Sequence, residues 1–240
     1  MRGIPLNPLH VRWLGRIRYE DALEIQIETF EQRSGDKIPD QLLLLEHPPV
    51  YTRGSKGIES DIKGKFPDIP IHKADRGGAT TYHGPGQLVG YPIIKLEGPE
   101  RDLHAYVRSL ERVLIEVLAE VGLDARTSTR GTGVWIGERK IASIGVRVAR
   151  WITRHGFALN VNPDLRHFEG IVPCGLSDVT MTSIEKECGE APELSQVATL
   201  TAEIFARVTQ RKIHGSTNKD RLQPGPSPSP HLLPPGTKWR

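Results

Sequence analysis

Four consecutive leucines, Leu42 to Leu45, constrain the fold of this chain more than any other stretch. A short apolar run closed by Pro48 and Pro49 reads as a buried strand, since proline cannot continue a regular ladder. Around it, Leu23, Ile27 and Phe30 recur at helical spacing and predict a first amphipathic helix. A longer helix is predicted from Asp102 to Val121, with Leu103, Val107, Leu110, Leu114, Leu118 and Val121 on one face and Gly122 as its stop. Val197, Leu200, Ile204 and Val208 mark a final helix. Leu88–Ile94 and Phe157–Val161 read as strands, and Val134–Ile136 with Ile141–Val148 as a hairpin turning at Gly137-Glu138. Short turn-linked strands favour an α/β (α+β) domain with a mixed, largely antiparallel sheet covered by helices.

The chain has 240 residues, 37% of them hydrophobic, enough for one substantial core. Organisation changes near His214. Beyond it come Gly215-Ser216-Thr217-Asn218 and Pro224-Gly225-Pro226-Ser227-Pro228-Ser229-Pro230, with little apolar surface to offset the entropy of ordering. The expected division is a folded domain over residues 1–213 and a disordered Pro/Ser/Gly-rich tail over residues 214–240. No apolar run approaches the roughly 20 residues of a membrane span. The opening Met1-Arg2-Gly3-Ile4-Pro5 lacks the apolar core of a secretory signal. The expected location is the cytoplasm, with no membrane partner.

In that compartment the two cysteines are expected to stay reduced. Cys188 sits among Glu185, Glu187 and Glu190, whose charges oppose a thiolate, and receives no role. The histidines show no His-Glu-x-x-His, and the cysteines no Cys-x-x-Cys, so no metal is expected. The formal net charge is +3. Arg126, Arg130, Arg139, Arg147, Arg150 and Arg154 crowd the middle of the chain, as a solvated face or a dock for an acidic protein. No recognisable nucleic-acid module accompanies them.

Two segments carry chemistry. In Gly170-Ile171-Val172-Pro173-Cys174-Gly175-Leu176, a turn rather than a packed element surrounds the thiol; elsewhere a lone cysteine commonly packs as a small hydrophobe. Lys140 opens Lys140-Ile141-Ala142-Ser143-Ile144-Gly145, after a hairpin that could equally leave it solvated. A nearby ammonium lowers a thiol pKa from about 8.5 into the range of about 3.5–7.5 and so supplies the thiolate that acyl transfer needs. The glycine-rich run Arg76-Gly77-Gly78-Ala79-Thr80-Thr81-Tyr82-His83-Gly84-Pro85-Gly86-Gln87 reads as a binding loop or as a tight turn before the next strand. It matches neither the P-loop nor the dinucleotide fingerprint. His83 is a candidate acid or base, though a histidine in such a loop is as often a structural hydrogen-bonder.

Leu44 to Thr52, Arg76 to Gln87, Lys140 to Gly145, Gly156 to Asn160 and Gly170 to Leu176 together resemble the lipoyl(octanoyl) transferases. The resemblance covers roughly residues 15–210, and its five blocks occur in the family's order. The resemblance implies the fold of the biotin- and lipoate-ligase catalytic domains and a monomer. It implies octanoyl transfer from octanoyl-acyl carrier protein to the lysine of lipoyl domains, those of 2-oxoacid dehydrogenases and the glycine-cleavage carrier protein. Cys174 would be the acyl-thioester nucleophile and Lys140 the group that activates it. Substrate contacts would come from Arg76, Gly77, Gly78, Ala79, Thr80, Thr81, Tyr82 and His83, from Ser143, Ile144 and Gly145, and from Gly156, Phe157 and Ala158.

A thioester is already activated, so the implied reaction needs no ATP and no cofactor. An ATP-dependent lipoate–protein ligase shares the implied fold but needs no cysteine, and Pro173-Cys174-Gly175 favours the transferase over it. A noncatalytic module that binds acyl carrier protein is the alternative outside enzymes. The tail reading makes one firm expectation: amides of residues 215–240 exchange fast and the segment is cut readily by protease, and protection throughout it would refute disorder.

Overall fold

The computed structural model describes residues 6–172 and 179–214. Cys174 and the predicted tail beyond residue 214 lie outside the described residues. The elements run β1 (Asn7–Arg16), α1 (Tyr19–Ser34), β2 (Asp40–Glu46), β3 (Val50–Arg53), β4 (Ile71–Lys73), β5 (Thr80–His83), β6 (Gln87–Ile93), α2 (Leu103–Glu120) and β7 (Val134–Ile136). They continue with β8 (Arg139–Ala149), β9 (Ile152–Asn160), β10 (Thr180–Met181), α3 (Ile184–Cys188), α4 (Leu194–Val208) and β11 (Arg211–Ile213).

The main sheet has the order β10-β8-β9-β6-β2-β1-β11, with β7 on β8; β4-β3-β5 form a smaller sheet. The long central pairs β2–β6, β6–β9 and β8–β9 are antiparallel, while β1–β2, β1–β11 and β10–β8 are parallel. This is the mixed, largely antiparallel α/β sheet expected. α1 is the crossover that lets β1 and β2 run parallel.

The leucine run is explained by two-sided cover. Leu42 and Leu44 join the core under α2 and α4, whereas Leu43 and Leu45 pack with Ala22 and Phe30 of α1 on the other face. With both faces buried, alternation gives no polar position. α2 begins where Asp102 accepts hydrogen bonds from the amides of His104 and Ala105, and ends at Gly122, whose φ is +82°.

Two expectations are corrected. The buried stripe of α1 is Ala22, Gln26, Thr29, Phe30 and Arg33, and Ile27 is 45% exposed. Polar groups occupy the inner face because they have work there: the Gln26 Oε1 accepts the His155 amide and Arg33 pairs with Asp40. β9 begins at Ile152, five residues before the predicted start, and carries His155 at φ +55° within the ladder.

Asp40 ties the far end of the sheet together. It is 1% exposed and accepts from Arg33 Nε and Arg211 Nε, each at 2.7 Å, and from the Lys95 amide at 3.0 Å. Arg211 is itself buried. Removing one partner from a buried ion pair leaves an uncompensated charge, so Asp40→Ala should cost about 3–5 kcal/mol. Urea unfolding of the variant measures this, and a loss below about 1 kcal/mol would contradict it.

Candidate functional site

A cavity of about 740 Å³ opens between the β8–β9 hairpin, the glycine-rich segment and the first turns of α2. Its wall brings together Lys140 with Arg76, Gly77, Gly78, Ala79, Thr80, Thr81, His83, Ser143, Ile144, Gly145, Gly156, Phe157 and Ala158. These residues come from three separate blocks of the sequence. Ala79, Ile144, Val146, Phe157 and Ala158 give the wall an apolar stretch, which Leu103 and Val107 of α2 extend.

Lys140 is 2% exposed, so it is not a solvated hairpin lysine. Its Nζ donates to the Thr132 carbonyl at 2.8 Å and lies 5.4 Å from the centre of the Trp135 ring. Trp135 is the cross-strand partner of Lys140 in the β7–β8 ladder. The register then jumps, with Val134 opposite Ala142, so Ile141 is an extra residue in β8. Gly133, at φ +130°, makes room: a Cβ there would stand 2.7 Å from Lys140 Cε.

Arg76 is buried and holds the glycine-rich segment in shape. It donates to the carbonyls of Gly77 and Ala79 at 3.0 Å and to the Thr52 carbonyl and Oγ1 at 2.8 and 2.7 Å. The Gly77 amide donates to Val146 of β8 at 2.9 Å, and a Cβ on Gly145 would come within 2.8 Å of the Gly77 carbonyl oxygen. Gly145 therefore serves the close approach of loop and strand rather than leaving room for a ligand.

Tyr82 is a correction. Alternation along β5 turns its ring away from the cavity and into the packing of Tyr51 and Phe168, where its hydroxyl meets His167 Nδ1 at 2.8 Å. His83, its neighbour, faces the cavity. Its Nδ1 donates to Gln87 Oε1 at 2.7 Å, and burial holds its pKa well below the usual histidine range. Gln87 Nε2 bonds Asn160, whose own amide bonds the Thr182 carbonyl, and the Thr182 amide returns to the Lys140 carbonyl. His83 is thus a neutral member of a buried network that ends on the backbone of Lys140.

Sequence reasoning missed Tyr19, Tyr91 and Thr132, which also line the cavity, and gave His155 no part. His155 Nε2 meets Asp75 Oδ1 at 2.6 Å. That bond, with Arg154 and Arg147 beside it, holds the Asp75 carboxyl far below its usual range. No motif announces these residues, because the fold gathers them from α1, β6, β9 and two loops.

The model of the lipoyl protein ligase A/B catalytic domain matches residues 18–206. The chain belongs to this family. A relative from Gloeobacter violaceus, named an octanoyltransferase, is 48% identical over 81% of this chain and 87% of its own length. The fold is shared with a bipartite lipoate protein ligase from Thermoplasma acidophilum, at a TM-score of 0.69 and 17% identity, covering 88% of this chain and 89% of that one. It is shared more loosely with the biotin protein ligase of Aquifex aeolicus, at a TM-score of 0.52 and 14% identity over 83% and 70% of the two chains. The family read from the five sequence blocks is the one found.

Behind the family's glycine-rich segment, His47 stacks edge-on with His83 and is fully buried. Its Nδ1 donates to the Ile17 carbonyl at 2.8 Å, so the neutral ring leaves Nε2 to accept from the Tyr91 hydroxyl at 2.8 Å. Burial pushes its pKa down to about 4. The unfolded chain takes up this proton near pH 6.5 and the native state near 4, so the contribution is present above about 6.5 and is lost as pH falls towards 4. His47 alone should remove about 3 kcal/mol of stability across that window. Urea midpoints measured at several pH values check this, and His47→Asn should flatten the slope.

Proposed function

We propose that this chain transfers an octanoyl group from octanoyl-acyl carrier protein to the lysine of lipoyl carrier domains, through an acyl thioester on Cys174. The observation that carries the reading is a lysine ammonium buried in the wall of a cavity with an apolar stretch. The name and 48% identity of the Gloeobacter violaceus relative support the reaction class. In the sequence Cys174 falls between Val172, whose amide donates to the Asp61 carbonyl, and Met181, the cross-strand partner of Lys140.

In the first half-reaction the Cys174 thiolate attacks the donor's thioester carbonyl. The new C–S bond forms as the carrier's C–S bond breaks, and the carrier leaves as a thiol by taking a proton from Lys140, which is left as the neutral amine. Lys140 favours the thiolate by its charge. In the second, the neutral amine of the acceptor lysine attacks the enzyme thioester, an amide forms, and Cys174 departs as thiolate. Lys140, once its anionic partner is consumed, takes the proton shed by the amine.

The apolar wall suits a medium chain, each methylene buried there contributing about 0.8 kcal/mol. Along β8, Lys140 stands five steps from the Gly145–Gly156 pair, one of them through the bulge residue Ile141, about 13–16 Å at a strand's rise. Seven C–C bonds at about 1.5 Å each reach no more than about 11 Å, so an octanoyl chain anchored near Lys140 ends within the cavity.

Intact-mass measurement after incubation with octanoyl-acyl carrier protein, without ATP, tests the proposal. The wild type should gain one octanoyl group and lose it to an added lipoyl domain, and Cys174→Ala should gain none. Lys140→Arg, which keeps charge but does not readily deprotonate, should form the adduct yet pass it on slowly. Modification of the lipoyl domain only with free octanoate and ATP would instead identify a ligase, and binding of the carrier without any modification a noncatalytic module.

A further inference from the structure

We infer that Trp135 is a positioning residue for Lys140, its indole face fixing the ammonium at the place the transfer chemistry needs. The inference rests on the reading of Lys140 given above.

A buried ammonium must be matched by acceptors or by electron-rich surface, because it has three donors and cannot accept. The Thr132 carbonyl provides one acceptor. The face of an indole is the strongest aromatic partner for a cation, and 5.4 Å lies inside the roughly 6 Å range of that attraction. Trp135 is itself 0% exposed, so the attraction acts away from water and is little weakened by solvent screening.

The contact is built into the chain in three independent ways. The β7–β8 register sets Trp135 directly across from Lys140, and the extra residue Ile141 immediately follows that pair. Bulges of this kind re-aim side chains beside functional sites. Trp135 Nε1 donates to the Gly131 carbonyl at 3.3 Å, so the indole also anchors the loop whose Thr132 carbonyl receives the ammonium. The next residue of that loop, Gly133, is held by Glu111 of α2, whose Oε1 accepts its amide at 3.1 Å. One side chain therefore holds both the cation and the acceptor facing it.

Other charges stand close. Arg130 lies 5.7 Å from the centre of the same ring and pairs with Glu138, and Arg139, next to Lys140, is bound by both oxygens of Glu187. Nothing comparable to the indole was evident from sequence, where Trp135 reads as an ordinary strand aromatic.

The test uses the full chain with ε-13C-labelled lysine. A methylene seated over an indole face resonates upfield of ordinary lysine, and the signal is assigned to Lys140 by its loss in Lys140→Arg. Trp135→Leu should return that resonance to the ordinary position and slow octanoyl-adduct formation about 10- to 30-fold. Trp135→Phe, which keeps a weaker π face, should restore part of both. Site-specific di- and tetrafluorotryptophan at position 135 preserve the shape while draining the π face, so their rates should fall stepwise even if Trp135→Leu fails to fold. A Lys140 resonance at the ordinary position in the wild type, or rates indifferent to fluorination, would overturn the inference. Wild-type adduct formation by Lys140→Ala would instead remove the functional reading beneath it, while the resonance still reported the contact.

Discussion

The site depends on a close approach: the glycine-rich segment lies against the edge of β8 opposite β9, where no other strand pairs with it. β7 and β10 cover β8 only from Arg139 to Ala142. Beyond them the Gly77 amide bonds to Val146, and Gly145 leaves no Cβ in the way. Arg76 binds the segment to β3 and to its own carbonyls, so the cavity wall keeps its shape through a buried guanidinium. Asp75, just before the segment, adds a second tie to the β8–β9 hairpin through Arg147, Arg154 and His155.

The inner part of the cavity is polar but electrically quiet. His47 and His83 are held neutral by burial, and the Tyr19 hydroxyl is pushed up to about 12 by the same cause. Lys56, Arg108, Glu111 and Arg130 also bring charge to the wall, while Lys140 and Arg76 are each engaged with backbone carbonyls.

What could be read from sequence was what local physics sets. The Asp102–Gly122 helix obeys a capping rule and a 3.6-residue period, the Val134–Val148 hairpin a turn rule, and both appear as expected. The α1 stripe was misread because Gln26 and Arg33 are buried by partners far along the chain, which hydrophobicity cannot foresee. β1 went unnoticed although Leu9, Val11 and Trp13 alternate with polar His10 and Arg12, since Pro8 just before them reads as a break. Within the site, Lys140 and the glycine-rich residues were legible as family blocks. Tyr82 lies outside the cavity's lining, because a motif does not say which way each residue of a strand faces. Tyr19, Thr132 and His155 were invisible, being brought in by topology alone.

The pairing of β1 with β11 has a consequence for how the protein is made. Asn7, Pro8 and Leu9 lie beside Arg211, Lys212 and Ile213, so the edge of the main sheet joins residues about two hundred positions apart. Contacts of such separation are slow to form, because the loop they close must be ordered before they reward it. During synthesis β1 can pair with β2 as soon as α1 has emerged, and the β8–β9 hairpin can form from its own turn. The outer edge of β1 must then wait, open to other chains, until residue 213 leaves the ribosome.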